Sequence, residues 1–350
     1  MGTFFVVLAR ASLSPPMGRK DPWARGLLLT LSLLGLLACG EPTATDRLRY
    51  VRTGVEQLVR RDAPRPPDRP VSLPARRDRM LTVPEHTIGP FDFLATIGCR
   101  LSEVVAARNS SLGRVLRPTR RLAYELDVIL ALETCIPTLG VERAERLSRI
   151  LEERQAALPR HVWNALWLDE EVERFLSSGP AALIGGRSRR DGGRQLAMAA
   201  AALRSRDVDA LEDALEQLRD DPAAGPRLRE ASGTTRELEA IAALVSSVPV
   251  ERCSAVARRL VVLFTERFVP VRGALAELDR DAHVLVSGLR AAFDAVGEVE
   301  PDAAMRAYRL ATTGNGEAPG IEEALRSAIV AHAEAWSGVL GACDSLPGPS

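Results

Sequence analysis

Lysine is almost missing from this chain. Among 46 basic residues in 350 there is a single lysine, Lys20, and every other cation is arginine. A P-loop, a Schiff-base enzyme and a lysine general base therefore fall away for everything beyond that position. Histidine is scarce as well, with four in all: His86, His161, His283 and His332. No excess of charge exists, since 46 basic residues face 46 acidic ones, and the whole-molecule field gives no reason to expect a nucleic-acid partner. There is no Gly-x-Ser-x-Gly elbow, His-Glu-x-x-His helix or Ser-x-x-Lys nucleophile. The cysteines and histidines lack the paired Cys-x-x-Cys or His-x-x-x-His spacing of a zinc site. Alternating strand patterns of useful length are missing, as is any internal repeat of about 20 to 50 residues. Neither a cofactor nor a metal is expected.

What is present begins with one apolar run, Leu27 to Leu37. At about 11 residues, or roughly 16 Å of helix, it is too short for a bilayer core of about 30 Å. Arg19, Lys20 and Arg25 precede it, and Ala38 stands directly before Cys39, which is the order of a secretory signal peptide. Leu36-Leu37-Ala38-Cys39 resembles the lipobox of bacterial lipoproteins, in which the cysteine takes acyl chains such as palmitate and becomes residue one after cleavage. An ordinary signal peptide that happens to contain a cysteine is the alternative. Gly40, where an aspartate would retain the protein, resembles the outer-membrane sorting pattern. The expectation is a lipid-anchored protein on the inner leaflet of the outer membrane, facing the periplasm. A start at Met17 would set the three cations at the usual distance from the run.

Beyond residues 1–38, five cysteines divide into the acylation candidate Cys39 and four others, Cys99, Cys135, Cys253 and Cys343. An exported chain meets an oxidising compartment, so two disulfides are expected. Four cysteines allow three pairings; Cys99 with Cys135 and Cys253 with Cys343 is the favoured one.

Residues 39–45 form the anchor and a short tether. Residues 46–90 comprise a helix, with Leu48, Val51 and Val55 on one face, and a strap whose many prolines predict no helix. Arginines are dense from Arg47 to Arg79, and solvated surface competes with anionic lipid headgroups as their role. Residues 91–178 read as a first helical subdomain: a hairpin of two helices around Arg108-Asn109-Ser110-Ser111-Leu112-Gly113, then a helix ending near Leu158 and another beginning at Pro159 with Trp163 and Trp167. A Gly/Arg-rich connection, 179–194, leads to a second helical subdomain, 195–343, and a tail, 344–350. Within the second subdomain a helix runs from Val256 to Phe268. The longest pattern follows Pro270, Thr312 to Gly320 is a loop, and Ile321 to Leu340 is the last helix. The fold class is all-α, a mostly antiparallel helical bundle.

Phe91-Asp92-Phe93-Leu94, Cys99, Arg108-Asn109-Ser110-Ser111-Leu112-Gly113, Arg121-Leu122-Ala123-Tyr124-Glu125-Leu126 and Cys135 together resemble a family of proteobacterial lipoproteins catalogued as domain of unknown function number three thousand and eighty. The resemblance covers essentially the mature chain, with its specific words between Arg76 and Trp167. The family more often has an acidic residue where Ala107 stands, which implies a missing charge pair here. It implies a lipoprotein and carries no mechanism.

Candidate chemistry is thin. Asp279 and His283 stand at i,i+4, where a carboxylate can orient an imidazole, although surface ion pairs at that spacing are ordinary. Asp169-Glu170-Glu171 with Glu173, beside two tryptophans, has the composition of a sugar site but the look of a charged solvent face. Arg108, Asn109, Ser110 and Arg114 are the candidate binding residues, against a role in satisfying helix ends. These readings favour a non-enzymatic envelope adaptor or assembly factor, bound to the membrane through its lipid and to an unidentified envelope protein. The alternatives are a cell-wall hydrolase with dispersed carboxylates and a helical binder of lipid or an apolar ligand.

Overall fold

In the computed structural model, which describes residues 42–64, 71–84, 88–89, 93–94, 96–108, 117–177, 191–219, 224–249, 254–297 and 299–343, every regular element is helical. Helix α1 (Ala44–Val59) opens on a capping box: the Thr43 hydroxyl accepts from the Asp46 amide and the Asp46 carboxylate accepts from the Thr43 amide. Leu48, Val51 and Val55 form its buried stripe, as their spacing predicts. The strap contains one helical turn, α2 (Arg76–Arg79), where the prolines predict none. These four residues contain no proline, and burial of Arg79 holds the turn in place.

Helices α3 (Arg100–Arg108) and α4 (Pro118–Cys135) pack on each other as expected, and α4 is followed by α5 (Val141–Trp167) and α6 (Glu170–Leu176). The predicted new start at Pro159 does not occur; α5 runs through it for 27 residues. A proline inside a helix costs about 3 kcal/mol. Burial of Leu158, Trp163, Leu166 and Trp167 offsets this, since each large apolar side chain taken from water contributes roughly 1.5–3 kcal/mol. The break falls instead at Leu168, because Asp169 caps α6 by accepting from the Glu171 amide.

Beyond the Gly/Arg-rich connection the chain supplies α7 (Gly192–Ser205), α8 (Val208–Leu218), α9 (Ala224–Ser246) and α10 (Ala255–Leu263). The expected helix through Phe268 loses α-register at Phe264: Phe264–Phe268 is a π turn and Val269–Val271 a 3-10 turn around Pro270. Pro270 has no amide hydrogen and its ring obstructs the preceding turn, so the wide and tight turns together carry the chain into α11 (Arg272–Ala295). Helix α12 (Ala303–Thr313), capped by Asp302, was not expected from the sequence; α13 (Ile321–Ala342) closes the bundle.

Helix α9 is flanked by α1 and α13, and α7 lies between α8 and α11. The α7–α11 crossing is a backbone contact: a Cβ on Gly193 or on Gly288 would fall inside the opposite main chain. The main core draws on residues from both sides of the 179–194 connection, most of which lies outside the described residues. A second, smaller cluster of Leu101, Val128, Ala131, Leu132, Cys135 and Leu147 fills the tip where α3, α4 and α5 meet. Among the described residues no helix is long and apolar enough to cross a membrane.

Candidate functional site

Of the residues singled out from the sequence, Cys39, Asn109, Ser110, Arg114, His86 and Cys253 lie outside the described residues. Arg108 ends α3. Cys99 and Cys135 are joined, with Cα atoms 5.8 Å apart. Cys343 is disulfide-bonded too, while the expected partner, Cys253, falls outside the described residues.

The Cys99–Cys135 bridge staples the tip that holds the smaller core cluster. A core of this size leaves apolar side chains uncovered. Leu94 (57 %) and Ile97 (68 %) in the segment before α3, Leu130 (50 %) on α4 and Val141 (77 %) at the start of α5 are all exposed. Beside Val141 an open groove is lined by Ile136, Pro137, Leu139 and Ala144 on its apolar side and by Glu145, Arg149 and Glu152 on its polar side. Sequence reasoning misses the turn Ile136-Pro137-Thr138-Leu139. Its signal is legible nonetheless: apolar residues in a short connection between two polar helix ends have no core of their own to enter.

The other candidates turn out to be structural. Trp163 and Trp167 are core residues, with Trp167 stacked 4.6 Å from Phe293 and the Trp163 indole donating to the Arg79 carbonyl. Arg79 itself, at 1 % exposure, donates to the Trp167 carbonyl (2.7 Å) and to the Glu173 carboxylate (2.6 Å). Asn164 adds two bonds to the backbone of Leu81, so the strap is clamped along α5. The acidic run is thereby dispersed: Asp169 caps α6, Glu171 pairs with Arg174 and Arg219, and Glu173 holds Arg79 and Arg76. Burial holds the Asp169 carboxyl above its ordinary range.

Asp279 and His283 do not pair with each other. Arg326 takes Asp279 at 2.9 Å, and His283 Nδ1 lies 2.7 Å from Glu322. A buried pair, Glu125 with Arg154, has His161 4.0 Å away. His332 is buried between rings, accepts from the Trp336 indole at 2.9 Å, and is pushed down to about 4 by burial. Among the described residues no three histidine, cysteine, aspartate or glutamate side chains converge as a metal site.

Two hollows remain. One, of about 380 Å³, lies between α9, α12, α13 and the strap residue Val71, with walls that include Ala307, Ala311 and Ala324 and a polar side formed by Ser232, Thr235, Arg236 and Glu239. The other is a basic groove between α1 and α10. A family model described as a protein of unknown function, DUF3080, matches residues 52–347, and the chain belongs to that family. No curated protein and no solved structure matches it.

Proposed function

We propose that this DUF3080 protein is a cell-envelope adaptor or assembly factor, acylated on Cys39, held on the periplasmic side of the outer membrane and docking a partner protein on its disulfide-stapled tip. One observation carries the docking half: Leu94, Ile97, Leu130 and Val141 are exposed on one small module, next to a groove with an apolar wall. A disulfide-bridged surface incurs less ordering cost on binding than an unbridged segment does. The anchor half rests on the order of cations, apolar run, Ala38 and Cys39 in the sequence.

The test combines both halves in cells. A photo-crosslinking residue at Val141 or Ile97 is expected to capture one envelope protein reproducibly, and the same probe at Met198, exposed on α7, is not. Equal capture at Met198 sinks the docking surface. Cys39→Ala is expected to release the protein from the membrane fraction, and unchanged fractionation sinks the anchor. A second reading, a binder of apolar ligand, is favoured by the hollow walled by Ala307, Ala311 and Ala324.

A further inference from the structure

The groove between α1 and α10 is built from features that no part of the proposed docking tip requires. At Gly54 the two elements touch: a Cβ there would stand 2.6 Å from both Arg267 Nη1 and Leu263 Cδ1. The absent side chain lets the Arg267 guanidinium lie across α1, 4.2 Å from the centroid of the Tyr50 ring. Arg267 belongs to the π turn. The turn sets Phe264 and Phe268 against each other at 5.2 Å, with Phe264 5.0 Å from Trp336 and Phe268 4.4 Å from His332. Glu266 and Arg267, from the same turn, line the groove. Turns of this kind are rare and recur at functional sites.

The rest of the lining combines arginines with an amide and an apolar floor. Arg258 and Arg259 are exposed along α10, Gln57 offers an amide from α1, and Val262, 53 % exposed, and Leu58 supply an apolar floor. Arg258, which already has a partner, lines the space of about 560 Å³ together with Arg259, Arg267 and one carboxylate, Glu266, so Arg259 and Arg267 are the cations the site relies on. Among the described residues Arg259 and Arg267 form no ion pair. Guanidinium forks match the oxygens of a phosphate two at a time, and a volume of this order suits a small ligand.

We propose that this groove binds the phosphate of an anionic amphiphile, with the arginines on the phosphate and the first methylenes of the chain on Val262 and Leu58. The inference stands apart from the docking tip and from the anchor. It is tested by calorimetry on the full mature chain carrying Cys39→Ala, at physiological salt, with three probes. These are dihexanoyl phosphatidylglycerol below its micelle concentration, dihexanoyl phosphatidylcholine, and inorganic phosphate. The phosphatidylglycerol is expected to bind at least about tenfold more tightly than either control. Arg259→Gln, at an exposed position, is expected to remove that advantage without moving the melting temperature. Equal binding of phosphate alone overturns the amphiphile, equal binding of the choline lipid overturns the role of the arginines, and no binding of any probe overturns the site.

Discussion

At His332 the imidazole is packed against Phe268 and Trp336, and its Nε2 accepts the Trp336 indole proton. Burial favours the neutral ring, so the folded-state value of about 4 lies below the ordinary 6.5. The stability this group contributes is complete above the unfolded value and is lost as pH falls from there through the folded one. The difference is worth about 3 kcal/mol at about 1.4 kcal/mol per unit. Urea unfolding at pH 7 and at pH 4 is expected to show a loss larger by about that amount in the wild type than in His332→Gln. Equal losses would refute the assignment. Asp169 and Glu230, both raised by burial, titrate with the opposite sign and are common to the two proteins, so they cancel in the comparison. Arg79 teaches a different lesson at this scale. In the sequence it is one of many arginines among prolines, with solvated surface as the natural reading. In the fold it is buried, because Glu173 and the Trp167 carbonyl, about 90 positions away, accept hydrogen bonds from its guanidinium. Only the tertiary structure holds that information, whereas the stripe Leu48, Val51, Val55 was legible because helix period alone dictates it.

Helices were readable where apolar spacing and caps agreed, and misread where proline and burial pulled in opposite directions. Pro159 reads as a start, yet the tryptophan-bearing half of α5 gains more from burial than the missing amide costs. Helix α12 escapes a sequence reading since Met305 and Tyr308 are its only large buried apolar residues, although Asp302 before them is a usable cap signal. The Gly193–Gly288 contact is an element-scale feature as well, since it fixes how close α7 and α11 can lie. Gly288→Ala is expected to destabilise the fold by about 1–3 kcal/mol through overpacking, despite the better helix propensity of alanine. Gly338→Ala, on α13 with nothing within 4 Å of the added Cβ, is expected to stabilise it by up to about 1 kcal/mol. Chemical denaturation of both variants checks the pair, and a neutral Gly288→Ala would contradict the close crossing.

For the molecule as a whole, the two clusters of buried residues differ in what sustains them. The main core is large, with the disulfide-bonded Cys343 packed at its margin, while the tip relies on a small cluster and the Cys99–Cys135 bridge closing 36 residues. In the loop-entropy model such a bridge contributes roughly 3 to 4 kcal/mol. Mild reduction is therefore expected to raise amide exchange across α3, the end of α4 and the start of α5 while α7, α9 and α11 stay protected. Uniform loss of protection would show that the tip and core unfold as one. The all-helical class was legible because every apolar pattern has the helical period. The candidate surface was not, because a surface is defined by what fails to be covered, and coverage is a property of the assembled chain.

Helix α5 joins these two regions as one uninterrupted rod of 27 residues, about 40 Å long. Val141 stands at its exposed end, and Trp163 and Trp167 are sealed into the bundle at the other. One continuous helix, with α4 packed along it, is therefore shared by both cores, so neither core can be rebuilt without regard to the other.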